Sequence, residues 1–397
     1  MTISKEEILG LAEKLYPVQV KWRRRFHQYP ELSNQEFQTT RFIKSEMARH
    51  KIRILPLKMK TGTVGLLNSR MKRAIAIRTD LDALSIQEAT SLAFKSKNHG
   101  IMHACGHDIH MAVVLGTAIL LNKLKDSIPA AVKFIFQPSE EMPPGGAADM
   151  IKAGVLKSPP VEMIFGLHTD PSVPTGKIGL RDGPIMASVT DFDITIMGKG
   201  GHAARPHIAI DAVVVAAEIV NSMQKIVSRE INPLKPIVIT FGSIEGGTAR
   251  NVIAEKVVLR GTARTLSPDS LQRIPALIRR TVDGICRARG AKYELDFIAQ
   301  YPVLSNHKMA NLIFADACRD LFGRNRIIES PQSMGGEDFA FYLEKIPGAM
   351  FRLGVKNDRI GANKPWHASD FIADERSIFF GTALLSWSVL KYFERSL

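Results

Sequence analysis

Three histidines, one cysteine and one aspartate lie within eight residues in the stretch MHACGHDIH. These residues are His103, Cys105, His107, Asp108 and His110. Imidazole, thiolate and carboxylate are the ligands that borderline metal ions such as Zn²⁺ accept. The three histidines cannot all point in one direction. We therefore expect some of them to support the others or to cap a helix.

Further candidate ligands follow later in the chain. Glu140 and Glu141 end the run AAVKFIFQPSEE, His168 ends VEMIFGLHTD, and His367 lies in the loop KPWHASD. The two runs are typical of buried strands, and sites in layered α/β folds collect at strand ends. If these strand ends are adjacent, one thiolate, three imidazoles and one carboxylate can converge on a metal.

Composition limits the classes of function. The chain has 397 residues, which is enough for two domains, and a formal net charge of +14. Its basic residues are scattered, with KWRRRFHQ the longest tight cluster, so we expect no nucleic-acid partner. No apolar run is long enough to span a membrane, and the N-terminus lacks signal-peptide features, so we expect no membrane partner and a cytoplasmic location. Three cysteines do not make a disulfide framework.

The first part of the chain alternates between strand-like and helix-like segments. RAIAIRTD, AAVKFIFQPSEE and VEMIFGLHTD are predicted strands, the first ending near Arg78. MAVVLGTAILLNKL and GGAADMIKAGVL are predicted helices between them. Ser33 and Glu36 have the spacing of a capping box before another helix. This alternation predicts a layered α/β domain.

The pattern changes at about Gly183. From there, strand and helix signals follow the order β-α-β-β-α-β, which is the ferredoxin-like order. One of its helices begins at SPDSLQ and should be capped by Ser267 or Asp269. After it the α/β pattern resumes. We therefore expect an inserted α+β domain at residues 183–298, within a catalytic domain formed by residues 1–182 and 299–397.

Eight motifs together carry a resemblance to a known family, from about Trp22 to Leu385. In order, they are RTDLDAL, MHACGHDIH, FQPSEE, GLH, GKGGHAARPH, GGTARNVIAEKVVLRGTART, GGEDFAFYL and the WH loop. The chain resembles the amidohydrolase subfamily of the dinuclear-metal aminoacylase/carboxypeptidase superfamily, peptidase family M20. This group includes hippurate hydrolases, plant auxin-conjugate hydrolases and N-acetyldiaminopimelate deacetylases. The resemblance implies a zinc-exopeptidase-like mixed sheet flanked by helices, a ferredoxin-like lid, and a homodimer or higher homo-oligomer.

The resemblance also implies a site. Its metal ligands match Cys105, His107, Glu141, His168 and His367, which would hold two divalent ions per subunit. Zn, Mn, Co and Ni are all compatible with these donors. The neighbouring residue, Glu140, matches the general base that takes a proton from a metal-activated water. Because adjacent strand residues face opposite sides, at least one of the two glutamates should lie on a bend beyond the strand.

Other positions match residues with supporting roles. His202 matches a histidine that stabilises the oxyanion, often across a dimer, while Asn251 and Arg250 match the segment that holds the substrate carboxylate. Glu337 would orient a metal-bound histidine. Arg78 stands where many relatives of the wider superfamily have a metal-binding histidine. Asp80, two residues on, would either orient a ligand or cap a turn.

The activity implied is hydrolysis of the amide bond of small N-acyl amino acids, with acetyl, benzoyl or similar acyl groups. A metallo-carboxypeptidase or dipeptidase on the same fold is the alternative. A thiol hydrolase with Cys105 as nucleophile and His107 as base leaves four residues unexplained: Glu140, Glu141, His168 and His367. A catalytically silent scaffold would have lost ligands, and none is lost here.

Overall fold

The computed structural model describes residues 3–395, and this part of the chain divides into two compact units. The first unit contains the chain up to Gly183, Ser305–Pro331 and the chain from Asp338 onward. The second contains Pro184–Leu304 and Gln332–Glu337. The short segment that carries Glu337 therefore belongs with the inserted region.

The strands are numbered along the chain. They are β1 (Arg53–Leu55), β2 (Thr63–Leu67), β3 (Ala74–Asp80), β4 (Ala131–Gln137), β5 (Val161–Pro174), β6 (Ile178–Leu180), β7 (Gly183–Met186), β8 (Ser188–Met197), β9 (Gly201–His202), β10 (Ile237–Gly246), β11 (Val252–Ile253), β12 (Lys256–Thr265), β13 (Lys292–Tyr301), β14 (Leu304–Asn306), β15 (Ile327–Glu329) and β16 (Gly348–Lys356).

The α-helices are numbered in the same way. They are α1 (Lys5–Gln28), α2 (Phe37–Arg49), α3 (His107–Lys123), α4 (Ala147–Lys152), α5 (Ala212–Lys225), α6 (Pro268–Arg289), α7 (Lys308–Phe322), α8 (Ala340–Leu343) and α9 (Ser377–Arg395). Among the described residues, no helix combines the length and the apolar character needed to cross a bilayer.

The first unit is built on an eight-stranded sheet with the order β1-β2-β4-β3-β5-β16-β6-β15. The central strands β4, β3, β5 and β16 run parallel, whereas β2 is antiparallel to β4. β3 and β4 are buried along their whole length, which explains why their sequences are continuous apolar runs. The expected α/β class with a mixed central sheet is confirmed.

Helix α3 is the buried centre of this unit. It is apolar on all sides, and its residues from His107 to Leu121 are buried in the same core as residues of α1, α7 and α9. A helix that is hydrophobic all round is stable only inside a protein. Burial therefore fixes α3, and with it the motif MHACGHDIH at its beginning.

The second unit contains an antiparallel sheet with the order β10-β12-β8-β13 and the long helices α5 and α6. Its own core contains residues such as Phe192, Ile219, Leu259 and Ile278. Apart from the two-residue strands β9 and β11, its strands and α-helices from β8 to β13 follow the order β8-α5-β10-β12-α6-β13. Of the two caps expected for α6, Ser267 is the one used, because its side chain accepts a hydrogen bond from the Ser270 backbone N–H.

Three local predictions were wrong. The capping box is not formed: Ser33 donates to Asp82 instead, and Glu36 accepts bonds from outside the helix. β3 extends two residues beyond Arg78, to Asp80. His168 is not at a strand end, since β5 continues to Pro174. In each case a hydrogen bond to a distant segment, or a longer ladder, outweighs the local signal.

Candidate active site

Gly106 shapes the start of α3. It has φ +87°, which is left-handed backbone, and a Cβ at this position would lie 2.5 Å from Thr169 Oγ1. Only glycine adopts this conformation without cost and leaves room for that contact. The turn separates Cys105, before the helix, from His107, its first residue.

His168 faces this turn from the middle of β5. Its Nδ1–H donates to the Thr169 carbonyl at 2.8 Å, so Nε2 carries the lone pair. This Nε2 lies 3.5 Å from the Cys105 sulfur. The thiol and the imidazole thus present donor atoms to one point.

The two glutamates follow β4 on a bend, as expected. β4 ends at Gln137, and Ser139 then adopts φ +56°. From the bend, Glu141 Oε1 lies 3.8 Å and Glu140 Oε2 lies 4.0 Å from His107 Nε2. Both carboxylates therefore reach the same imidazole.

His367 approaches from the late loop. Its backbone N–H donates to the Ala104 carbonyl at 2.9 Å, and its own φ is +64°, a conformation that costs free energy for a residue with a side chain. Its Nε2 lies 3.5 Å from Glu141 Oε1. The loop is thus tied to the segment that carries Cys105.

These residues form one continuous cluster of potential ligands. Donor atoms lie within 4.8 Å of one another in each of three overlapping groups. The groups are Cys105, His107 and His168; Cys105, Glu141 and His367; and His107, Glu140 and Glu141.

The donor set of this cluster fits divalent metal. His107 Nε2 and Glu141 Oε1 are buried atoms without a hydrogen-bond partner among the described residues. Buried polar atoms without partners are costly, and a cation would satisfy both.

The other two histidines of the motif differ from His107. His110 shares a further candidate group with Asp80 and His107, but both of its ring nitrogens already have hydrogen-bond partners. His110 donates from Nδ1 to Asp80 at 2.7 Å and accepts at Nε2 from the Thr169 backbone N–H at 2.8 Å. His103 is buried, and neither ring nitrogen has a hydrogen-bond partner among the described residues. Asp80 also accepts from Arg78 at 2.9 Å, so its carboxylate supports His110 and does not cap a turn.

Sequence reasoning missed Asp82. Its backbone carbonyl accepts from His107 Nδ1 at 2.9 Å, which directs Nε2 of that ring toward the glutamates. Its side-chain Oδ2 accepts from the Glu141 backbone N–H at 2.9 Å and from Ser33 Oγ at 2.6 Å. The available signal was its position in RTDLDAL, directly after the strand end.

The basic cluster KWRRRFHQ also contributes buried side chains to the interior of the first unit. Arg23 and His27 lie on the buried face of α1, and both contact Asp108 Oδ2, at 2.7 and 2.8 Å. Burial opposes ionisation of Asp108, but these cations hold the pKa of its carboxyl well below the usual range. They thereby anchor the beginning of α3.

The electrostatics of the cluster disfavour a thiol nucleophile. Burial and the carboxylates of Glu141 and Glu140 raise the pKa of the Cys105 thiol well above its usual value. Burial lowers the pKa of His107, but the carboxylates of Asp80, Asp82 and Glu141 outweigh this and raise it to about 10. Thiolate is the nucleophilic form, so Cys105 without a cation beside it is a poor nucleophile.

The remaining candidates lie in the second unit. His202 is on β9, and the adjacent Ala203 N–H donates to the Asn251 carbonyl at 3.1 Å. Pairing of β9 with β11 thus brings His202 and Asn251 together, and their side chains are exposed, as is that of Arg250. Glu337 is buried within the segment Gln332–Glu337.

Comparison with known proteins gives matches over nearly the whole chain. The model of peptidase family M20/M25/M40 matches residues 76–386. N-acetylcysteine deacetylase of Bacillus subtilis is 39% identical, covering 93% of this chain and 95% of the relative. N-acetyldiaminopimelate deacetylase of Priestia megaterium is 40% identical, covering 85% and 90%. Thermostable carboxypeptidase 1 of Saccharolobus solfataricus is 36% identical, covering 94% and 95%.

A solved structure is similar in fold as well as in sequence. The crystal structure of the Bacillus subtilis YXEP protein, described as a dinuclear metal binding peptidase from the M20 family, superimposes with a TM-score of 0.85. It is 35% identical, and the match covers 96% of this chain and 99% of that one.

Proposed function

The chain belongs to peptidase family M20/M25/M40, and from this premise we propose how its residues perform the reaction. It is a metal-dependent amidohydrolase that hydrolyses the amide bond of N-acyl amino acids. The observation that carries our assignment of residues is that potential ligand atoms of six side chains lie in three overlapping groups. Two of these atoms, His107 Nε2 and Glu141 Oε1, are buried without a hydrogen-bond partner among the described residues.

Five side chains would hold the metal: Cys105, His107, Glu141, His168 and His367. We propose two divalent ions per subunit, because the donor atoms form overlapping groups and not a single set of four. Thiolate, imidazole and carboxylate together suit Zn, Mn, Co or Ni better than Mg. Bound divalent ions lower the pKa of water and polarise an amide carbonyl.

Glu140 is the general base in this proposal. Its Oε2 lies 4.0 Å from His107 Nε2, the imidazole nitrogen that the ligand Glu141 approaches at 3.8 Å. Its carboxylate accepts the proton that the attacking water loses and delivers it to the leaving nitrogen. The products are a carboxylic acid and a free amino acid.

Four residues of the second unit also have roles in this proposal. We assign His202 as a donor to the oxyanion, and Asn251 with Arg250 to the free carboxylate of the substrate. Glu337 would orient a metal-bound histidine. A homodimer or higher homo-oligomer and a cytoplasmic location remain predictions of the sequence.

A hydrolysis screen tests the function. N-acetyl, N-benzoyl and indole-acetyl amino acids, together with dipeptides and C-terminally blocked peptides, are assayed with Mn²⁺, Zn²⁺, Co²⁺ or Ni²⁺ and with EDTA. We expect hydrolysis of the N-acyl amino acids that EDTA abolishes. Faster cleavage of peptides than of any N-acyl amino acid would favour the alternative, a carboxypeptidase or dipeptidase like the Saccharolobus relative.

Two glutamate variants test the mechanism. Glu140→Gln should retain metal and substrate binding but lose nearly all turnover, by roughly 10²–10⁴-fold. Glu141→Ala should lose metal first, with partial recovery of activity at high metal concentration. Metal analysis and steady-state kinetics on both proteins distinguish them. Near-normal turnover in Glu140→Gln would refute the general-base role.

A further inference from the structure

The bend that carries Glu140 begins with a strained residue. Ser139 has φ +56°, in the left-handed region that residues with a side chain adopt only at a cost in free energy. Such a conformation persists only where surrounding groups hold it. Ser139 immediately precedes Glu140, so whatever holds Ser139 also helps to set the position of the backbone from which the Glu140 side chain starts.

A buried carboxylate supplies that hold. Glu36 has 0% of its surface exposed, and its Oε1 accepts from the Ser139 backbone N–H at 2.8 Å. The same oxygen accepts from the Asn34 N–H at 3.0 Å. Its second oxygen accepts from the Thr61 hydroxyl at 2.7 Å. Glu36 thus joins the strained backbone to a segment more than a hundred residues away in sequence.

The neighbours of Glu36 contact the same bend. The Asn34 side-chain amide donates to Ser139 Oγ at 3.0 Å. The Ser33 hydroxyl donates to Asp82 Oδ2, which also accepts from the Glu141 backbone N–H. Ser33, Asn34 and Glu36, which we call the clasp, therefore reach the backbone on both sides of Glu140, directly or through Asp82.

We propose that Glu36 is a positioning residue for the general base, acting through the backbone of Ser139. This inference rests on the proposed role of Glu140. Proton transfer requires heavy atoms within hydrogen-bond distance, and a displacement of about 1 Å at a reacting group costs on the order of 10²-fold in rate. The clasp holds the bend in the one conformation that brings Glu140 to the cluster.

Paired variants of Glu36 give the main test. Glu36→Ala removes the acceptor of the Ser139 N–H and should lower kcat by about 100-fold, with metal content and KM little changed. Glu36→Gln keeps an oxygen that can accept from Ser139 and Asn34, and its amide can donate to Thr61. It should therefore retain kcat within about threefold. Equal losses in both variants would show that charge and not geometry matters, and would overturn the proposal.

Two controls separate positioning from general stability. Thr61→Val removes the hydrogen bond to the second oxygen of the same carboxylate, so it should lower the thermal unfolding midpoint but leave kcat unchanged. Ser139→Gly tolerates the left-handed backbone and should remain active, whereas Ser139→Val disfavours it and should reproduce the loss in Glu36→Ala. The Ser139 pair keeps the test decisive if Glu36→Ala does not fold.

The outcomes distinguish the positioning role of Glu36 from the general-base role of Glu140. If Glu140→Gln is inactive while folded Glu36→Ala and Ser139→Val turn over normally, the positioning role is wrong and the general base stands. If metal content falls in parallel with kcat in Glu36→Ala, the clasp supports the ligand Glu141 and the proposal is overturned. If Glu140→Gln is active, both proposals fall.

Discussion

Cys105 is the softest donor of the cluster and the least typical of a hard-metal site. Its sulfur lies 3.5 Å from His168 Nε2 and shares a group with Glu141 and His367. A buried thiol among carboxylates stays protonated unless a cation compensates, because burial and those carboxylates raise its pKa. Metal binding therefore should displace a proton from this residue.

Replacement of this sulfur should weaken metal binding. Serine does not ionise near neutral pH, so Cys105→Ser should bind metal at least about 10–100-fold more weakly, and its activity should recover partly at high metal concentration. Metal content per subunit, measured by mass spectrometry, checks this. Cys318→Ser, in the buried face of α7, is the matched control and should keep full metal content. Full occupancy in Cys105→Ser would remove Cys105 from the ligand set.

Strand β4 contains a buried lysine, Lys133, which is unusual for a strand inside a sheet. Lys133 has 0% of its surface exposed, and its Nζ donates to the carbonyls of Val155 at 2.8 Å and Lys157 at 2.5 Å. Burial lowers the pKa of Lys133 to about 8. The side chain therefore joins β4, which precedes Glu140, to the segment that leads into β5, which carries His168.

The stability of the protein should rise with pH because of Lys133. Its folded-state pKa lies below the unfolded value of about 10.4, so the unfolded chain binds more protons between about pH 8 and 10.4. The free energy of unfolding therefore increases across that window, by at most about 3 kcal/mol, and the penalty is largest below pH 8.

A variant without the amine isolates this effect. The thermal unfolding midpoint of the wild type should increase relative to Lys133→Met between about pH 7 and 10. Lys152→Met removes an exposed lysine of the same unit and should show no such relative change. A constant difference between wild type and Lys133→Met at all pH values would contradict the prediction.

The whole molecule combines a metal-binding unit with a second unit that carries its own core. The proposed general base and the metal ligands are therefore assigned to the first unit, and the oxyanion donor and the carboxylate-binding residues to the second.

His202→Ala tests this division of labour. It should lower turnover by roughly 10²–10³-fold, the effect of one oxyanion donor, and leave metal content intact. His207→Ala, another exposed histidine of the second unit, should have little effect. If His202 acts across a dimer, verified heterodimers of His202→Ala and Glu140→Gln subunits should regain some activity. Loss of metal in His202→Ala would show that the division is wrong.

Much of this architecture could be predicted from the sequence. Continuous apolar runs predicted β3, β4 and β5, because a strand covered on both faces has no polar side. The residue types in MHACGHDIH and QPSEE predicted a metal site, because few other roles suit thiol, imidazole and carboxylate together. Apolar runs and clusters of ligand residue types both lie within short segments, so they can be recognised in the sequence without knowledge of the fold.

Only the tertiary structure decided which histidines of MHACGHDIH are placed as potential metal ligands and which are held by hydrogen bonds. His107 and His110 are alike in sequence, but the role of His107 depends on Asp82 and that of His110 on Asp80 and Thr169, which come from other segments. The same is true of Glu36, which has the spacing of a helix cap and instead holds the backbone of Ser139. A hydrogen bond is set by the position of both partners, and for these residues the partner lies tens of residues or more away along the chain.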